Sequence, residues 1–115
     1  NKTGLQNLLL LASIKKIADK ETIIEYMNRF NLDPHSKTKV KKYSLGMKQK
    51  LAIIQAIMED PDILILDEPF NSLDEGSVKL VRDILVEEKE KGKVIIISSH
   101  NKEDIELLCD KVYKM

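Results

Sequence analysis

YSLGMKQKLAIIQAIMEDPDILILDEPFNSLD, residues 43–74, decides the fold. Ser44 is a natural helix N-cap, and Leu51, Ile54, Ile57 and Met58 follow at helical spacing, so a helix with an apolar face is expected to start here. The first turn of such a helix has unpaired backbone amides that attract phosphate, and Gly46 lets a ligand approach the backbone closely. Asp60, Pro61 and Asp62 break the helix. Ile63-Leu64-Ile65-Leu66 is an apolar run too short for a buried helix and reads as a buried parallel strand. Asp67 and Glu68 leave its carboxyl end, where open α/β sheets keep their ligands. Adjacent carboxylates there have a chemical use: one can hold a magnesium ion, directly or through water, and the next can orient and deprotonate a water.

These residues resemble the nucleotide-binding domain of ATP-binding cassette (ABC) proteins, whose pattern is a signature sequence, a helix, a strand ending in Asp-Glu and a short loop ending in Asp. The resemblance makes Tyr43 to Gln49 the signature loop, Ile63 to Asp67 the Walker B strand and Glu68 the catalytic glutamate. It makes Asn71-Ser72-Leu73-Asp74 the D-loop. Ser98-Ser99-His100, after a second apolar strand, resembles the switch-histidine segment, and His35 has no such context and reads as a surface residue. The implied fold class is α/β: a partial P-loop NTPase core of ABC type with parallel strands, plus a helical signature subdomain. Residues 1–58 are expected to be that subdomain and residues 59–115 the carboxyl-proximal part of the RecA-like ATPase core.

The 115 residues amount to about one domain, and 43% hydrophobic residues suffice for a core. Nineteen basic and nineteen acidic side chains cancel, so no overall field favours nucleic acid or an anionic membrane. Cys109, alone, excludes an internal disulfide and reads as a small buried apolar residue. No stretch is long and apolar enough to cross a bilayer as a helix, and Asn1-Lys2-Thr3 does not open a signal peptide.

A phosphate loop, G-x-x-x-x-G-K-[ST], wraps phosphates in backbone amides. Of Gly4, Gly46, Gly76 and Gly92, none is followed by Lys-Ser or Lys-Thr, so the Walker A half is missing from these residues. The chain therefore reads as a fragment that begins just past the usual position of the Q-loop. By itself it is expected neither to bind ATP tightly nor to hydrolyse it.

Thr3 and Gln6 have capping-box spacing and open a first helix, expected over 4–18, with Leu5, Leu8, Leu9 and Ala12 on one face and Leu10, Leu11 and Ile14 widening it. The resemblance puts part of that surface near a membrane-spanning partner. A second helix is expected over 21–30, ended by Asn31-Leu32-Asp33-Pro34. Lys37, Lys39, Lys41 and Lys42, joined by Lys48 and Lys50, form a basic run that reads as a solvated loop with phosphate steering second; only Tyr43 could stack on a base. A long amphipathic helix is expected over 77–91, with Val78, Val81, Ile84 and Leu85 inward, a Glu87–Lys91 pair and Gly92 as its C-cap. Val94-Ile95-Ile96-Ile97 then reads as a second buried parallel strand, a last helix is capped at Asn101 and Asp104, and 110–115 reads as a third strand. In the family the phosphate-loop strand lies between these last two strands, so 111–115 are expected to be displaced, or the open edge to pair with another copy.

The mechanism the resemblance implies is ATP hydrolysis shared between two domains facing head to tail. Ser44, Leu45, Gly46, Met47 and Gln49 would form the signature contact to ATP held on the opposite subunit. Asp67 would bind Mg2+ through water, Glu68 would polarise the attacking water, His100 would contact the γ-phosphate, and Asp74 would cross the interface. Tyr43, Leu45 and Met47 replace Leu, the first Gly and Gln of the commonest signature, Leu-Ser-Gly-Gly-Gln, and a thioether cannot make an amide's hydrogen bonds. Tyr-Ser-Leu-Gly-Met resembles the variant in bacterial exporters linked to bacitracin resistance and in multidrug and bacteriocin-immunity exporters. The implied partners are a second nucleotide-binding domain and a transmembrane permease at the cytoplasmic face of a bacterial membrane, with no nucleic acid. Alternatives are a soluble ABC-type ATPase acting on ribosomes or DNA, and a non-catalytic interaction fragment.

Overall fold

The computed structural model describes residues 2–15 and 19–98. The expected features at 99–115, among them His100, Cys109, the last helix and the third strand, lie outside the described residues. The chain divides into two compact units, Asn1–Asp60 and Pro61–Met115.

The first unit is helical. Helix α1 (Gly4–Lys15) opens on the expected capping box: the Thr3 amide donates to Gln6 Oε1 at 3.1 Å and the Gln6 amide to Thr3 Oγ1 at 3.2 Å. Leu8 and Ala12 are buried, whereas Leu10 is 45% exposed. Helix α2 (Lys20–Arg29) starts earlier than periodicity suggests because Asp19 caps it, accepting from the Thr22 amide at 2.8 Å. It ends in a Schellman turn. The Asn31 amide donates to the Asn28 carbonyl, the Leu32 amide donates to the Met27 carbonyl, and Asn31 takes the left-handed conformation at φ 58°. Ile23, Met27, Phe30 and Leu32 are buried. Helix α1 packs on α2, and α2 on α3 (Leu45–Met58).

A strap joins the start of the chain to the residues ahead of α3. Thr3 and Lys39 form an antiparallel bridge, and the Val40 amide donates to the Lys2 carbonyl at 2.8 Å. A one-turn 3₁₀ helix, Val40–Lys42, then delivers Tyr43 into the interior, 7% exposed. Gly4 makes room for it: a Cβ at Gly4 would collide with the Tyr43 hydroxyl and crowd the Met27 methyl. Of the basic run, Lys37, Lys39, Lys41, Lys42 and Lys48 are exposed, as a solvated loop requires, and so is His35.

The second unit is a β-α-β arrangement. Strands β1 (Ile63–Asp67) and β2 (Val94–Ser98) are parallel, in register from Ile63 opposite Val94 to Asp67 opposite Ser98. Helix α4 (Glu75–Glu90) connects them and packs on β2, with Val81, Ile84 and Leu85 buried and Val78 half-buried. Gly92, at φ 94°, ends the helix as expected. The strands depart from expectation in one respect. They are covered on one face only: Leu64, Leu66, Ile95 and Ile97 are buried, while Ile63, Ile65 and Val94 are 55%, 63% and 49% exposed. A run of consecutive aliphatic residues marks a strand made to be covered on both faces. Among the described residues, nothing covers the second face.

Candidate functional site

The residues expected to form the signature lie in the first unit. Ser44 caps α3 as expected: its Oγ accepts from the Met47 amide at 3.1 Å, and its carbonyl accepts from the Lys48 amide at 3.0 Å. The amides of Leu45 and Gly46 have no acceptor within the helix, because a first turn has none to offer. The cap uses the Ser44 oxygen as acceptor and leaves its proton for another partner. Ser44 and Leu45 are exposed, Leu45 at 71%, and Gly46, Met47 and Gln49 are half-buried. This end can therefore offer two amides and a hydroxyl to an anion.

The acid edge lies in the second unit, at the carboxyl ends of β1 and β2. Asp67 closes β1 opposite Ser98 and is exposed. Glu68 continues the ladder by one bond, its amide donating to the Ser98 carbonyl at 2.7 Å, and then swings out of the strand at φ 46°. The left-handed turn redirects the chain immediately after the acid. Two turns follow. The Asn71 amide donates to the Glu68 carbonyl at 3.2 Å and the Leu73 amide to the Phe70 carbonyl at 3.3 Å, with Ser72 also left-handed at φ 67°.

Asp74 ends this loop as the N-cap of α4, its Oδ1 accepting from the Ser77 amide at 2.7 Å. That local role was readable in Asp74-Glu75-Gly76-Ser77, a capping residue followed by an acid in the first turn, yet periodicity alone starts the helix at 77. Phe70 is 8% exposed and lies beneath the guanidinium of Arg82, which stands 5.8 Å from the ring centroid. Residues twelve apart across a loop give no sequence signal for such a contact. Thus Asp67, Glu68 and Ser98 meet at one strand edge, with Asp74 at the end of the loop that leaves it.

No group of three or more His, Cys, Asp or Glu among the described residues could hold a metal by itself. A carboxylate at a strand end nevertheless suits Mg2+, which takes hard oxygen donors, keeps several waters and is commonly bound by one or two carboxylates plus substrate phosphates.

A family model described as ABC transporter matches residues 1–71. The uncharacterized ABC transporter ATP-binding protein YybJ of Bacillus subtilis is 53% identical over 109 residues, covering 95% of this chain and 50% of YybJ. The bacitracin transport ATP-binding protein BcrA of Bacillus licheniformis is 42% identical over 113 residues, covering 97% of this chain and 37% of BcrA. The chain thus spans half or less of the length of these relatives. Among solved structures, an ATP-binding subunit of an ABC transporter superposes over 100% of this chain and 49% of its own, with a TM-score of 0.87 at 27% identity. The capped helix α3 and the parallel pair whose first strand runs into Asp67-Glu68 are thus parts of a fold already known in these proteins, and the chain belongs to the ABC transporter family as part of its ATP-binding domain.

Proposed function

We propose that these residues supply the signature half and the hydrolytic edge of an ATP-hydrolysing subunit that powers export across a membrane. The observation that carries this is the strand-end acid pair, with Glu68 held by the Ser98 carbonyl at 2.7 Å and turned out of β1. Asp67 would hold Mg2+ through water, and ATP would come from a phosphate loop that these residues lack. The metal would neutralise charge on the phosphates. Glu68 would orient the attacking water and take up its proton, and His100 would contact the γ-phosphate.

Ser44 and the amides of Leu45 and Gly46 would reach ATP held by a second nucleotide-binding domain, with Met47 and Gln49 beside them, and Asp74 would cross that interface. Residues 1–58 would form the helical subdomain and 59–115 part of the ATPase core. Leu10, apolar and exposed, is a candidate contact for a transmembrane permease. Likeness to BcrA supports a peptide antibiotic of the bacitracin type as the cargo. The subunit would then sit at the cytoplasmic face of a bacterial membrane.

The test is ATP turnover by the native protein carrying these residues, with and without Glu68→Gln, beside ATP binding by the 115-residue chain. Expected are turnover in the native protein, ATP trapped unhydrolysed by the variant and no tight binding by the chain alone. Undiminished turnover in Glu68→Gln would remove the glutamate from the chemistry and with it this reading.

A further inference from the structure

We infer that Arg82 is a positioning residue for the hydrolytic edge, holding the loop from Glu68 to Asp74 in place through the ring of Phe70; the inference rests on the function proposed above. The loop needs an external hold. Two of its residues, Glu68 at φ 46° and Ser72 at φ 67°, occupy the left-handed region that side chains disfavour. Two backbone hydrogen bonds within it are long, 3.2 Å from Asn71 to Glu68 and 3.3 Å from Leu73 to Phe70. Its ends are fixed, by the Glu68 amide on Ser98 and by the Asp74 cap on Ser77.

Between those ends Pro69 and Phe70 are buried; Phe70 is 8% exposed, and its carbonyl is also the acceptor for Leu73. Arg82 stands eight residues past the Asp74 cap, about 12 Å along the helix. Side chains on a helix lean toward its N-terminus, so the Arg82 side chain covers part of that distance and the buried ring of Phe70 meets it. The guanidinium lies 5.8 Å from the Phe70 ring centroid, within the range of a cation–π attraction. Arginine suits the place, since a flat cation covers a ring and keeps its charge at any physiological pH. The contact clamps the middle of the loop to the rigid helix that the same loop begins. Through it, the carboxylate of Glu68 and that of Asp74 are set relative to each other.

The test uses the native protein with Arg82→Met, Arg82→Lys, Phe70→Leu and the Phe70→Leu/Arg82→Met pair. It reads kcat and KM for ATP, and hydrogen exchange at the Asn71 and Leu73 amides. Arg82→Met is expected to lower kcat about threefold to tenfold with KM within about twofold, and to speed exchange at both amides by a similar factor. Arg82→Lys recovers much of the loss, and the double variant is no worse than the poorer single one. A kcat for Arg82→Met within twofold of the parent overturns the inference, as do losses that multiply in the double variant or unchanged amide exchange. If Arg82→Met does not fold, Arg82→Lys and Phe70→Leu carry the exchange test, and rates equal to the parent's in both overturn it. A parent without ATP turnover would sink the proposed function, and amide exchange would still decide the role of Arg82.

Discussion

The amide of Glu68 donates to the carbonyl of Ser98 at 2.7 Å, one step beyond the last paired residues of the two strands, while Glu68 itself is left-handed at φ 46°. The ladder thus grips the backbone of the acid at the point where the chain turns. A glutamate there carries backbone strain that a glycine would not, so the position trades stability for a carboxylate at the sheet edge.

That trade is measurable. Glu68→Gly is expected to be more stable than Glu68→Ala by about 1 kcal/mol, because only the alanine keeps a Cβ at positive φ. Under the function proposed above, both should lose at least about a hundredfold in ATP turnover, the ordinary contribution of a general base. Denaturant midpoints and turnover of the two variants check this. Equal midpoints would mean that the left-handed geometry is not held in solution.

Glu88 sits on α4 at 1% exposure, with Lys91 Nζ 2.7 Å from Oε2 and Lys93 Nζ 3.8 Å from Oε1. The lysines differ: the side chain of Lys91 is 55% exposed and that of Lys93 only 10%. Removing the acid takes a counter-charge from a nearly buried cation, so Glu88→Ala should cost about 3 kcal/mol. Lys91→Ala should cost less, about 1–2 kcal/mol, since water solvates that ammonium and Lys93 still faces the buried carboxylate. Urea unfolding of both variants gives the comparison, and equal costs would refute the asymmetry.

These contacts also mark what could be read from the sequence. The Thr3–Gln6 box, the Ser44 cap and the Gly92 terminus were legible because each is settled within three or four residues. The acid edge was legible because an apolar run followed by Asp67-Glu68 has few other uses. Asp74 was seen as a loop acid while its helix cap was missed, although one carboxylate can serve both. The exposure of Ile63 and Ile65 was not legible, since exposure depends on what lies over the strand rather than on the strand. Nor were Arg82 on Phe70 and Lys93 on Glu88, which depend on where a loop or turn returns its side chains.

Asp19 gives the pH dependence. Hydrogen bonds from the Thr22 side chain and then from its amide hold the Asp19 carboxyl below its ordinary value of 3.8, and the group is fully exposed. A folded value below the unfolded one means that the capping contribution is complete above about pH 5 and disappears as the pH falls through the folded value. Asp19→Asn caps without titrating. The stability difference between parent and Asp19→Asn should therefore shift against the parent on acidification from about pH 6 to about pH 2. A constant difference across that range would show that the cap does not titrate with folding.

The start of α1 and the signature are locked by shape. Gly4 lies where a Cβ would strike the Tyr43 hydroxyl and stand 3.2 Å from the Met27 methyl. Tyr43 is the residue immediately before the Ser44 cap, so whatever displaces its ring also disturbs the helix start that bears the signature amides. On helix propensity alone Gly4→Ala would gain up to about 1 kcal/mol. Overpacking against a buried ring should reverse the sign and cost about 1–3 kcal/mol instead. The clash is chiefly with one oxygen, so Tyr43→Phe should recover part of that cost in a Gly4→Ala background while doing little for the parent. Chemical denaturation of the four proteins of this cycle measures the coupling. A stabilising Gly4→Ala, or a Tyr43→Phe effect identical in both backgrounds, would show that α1 and the signature are not locked by this contact.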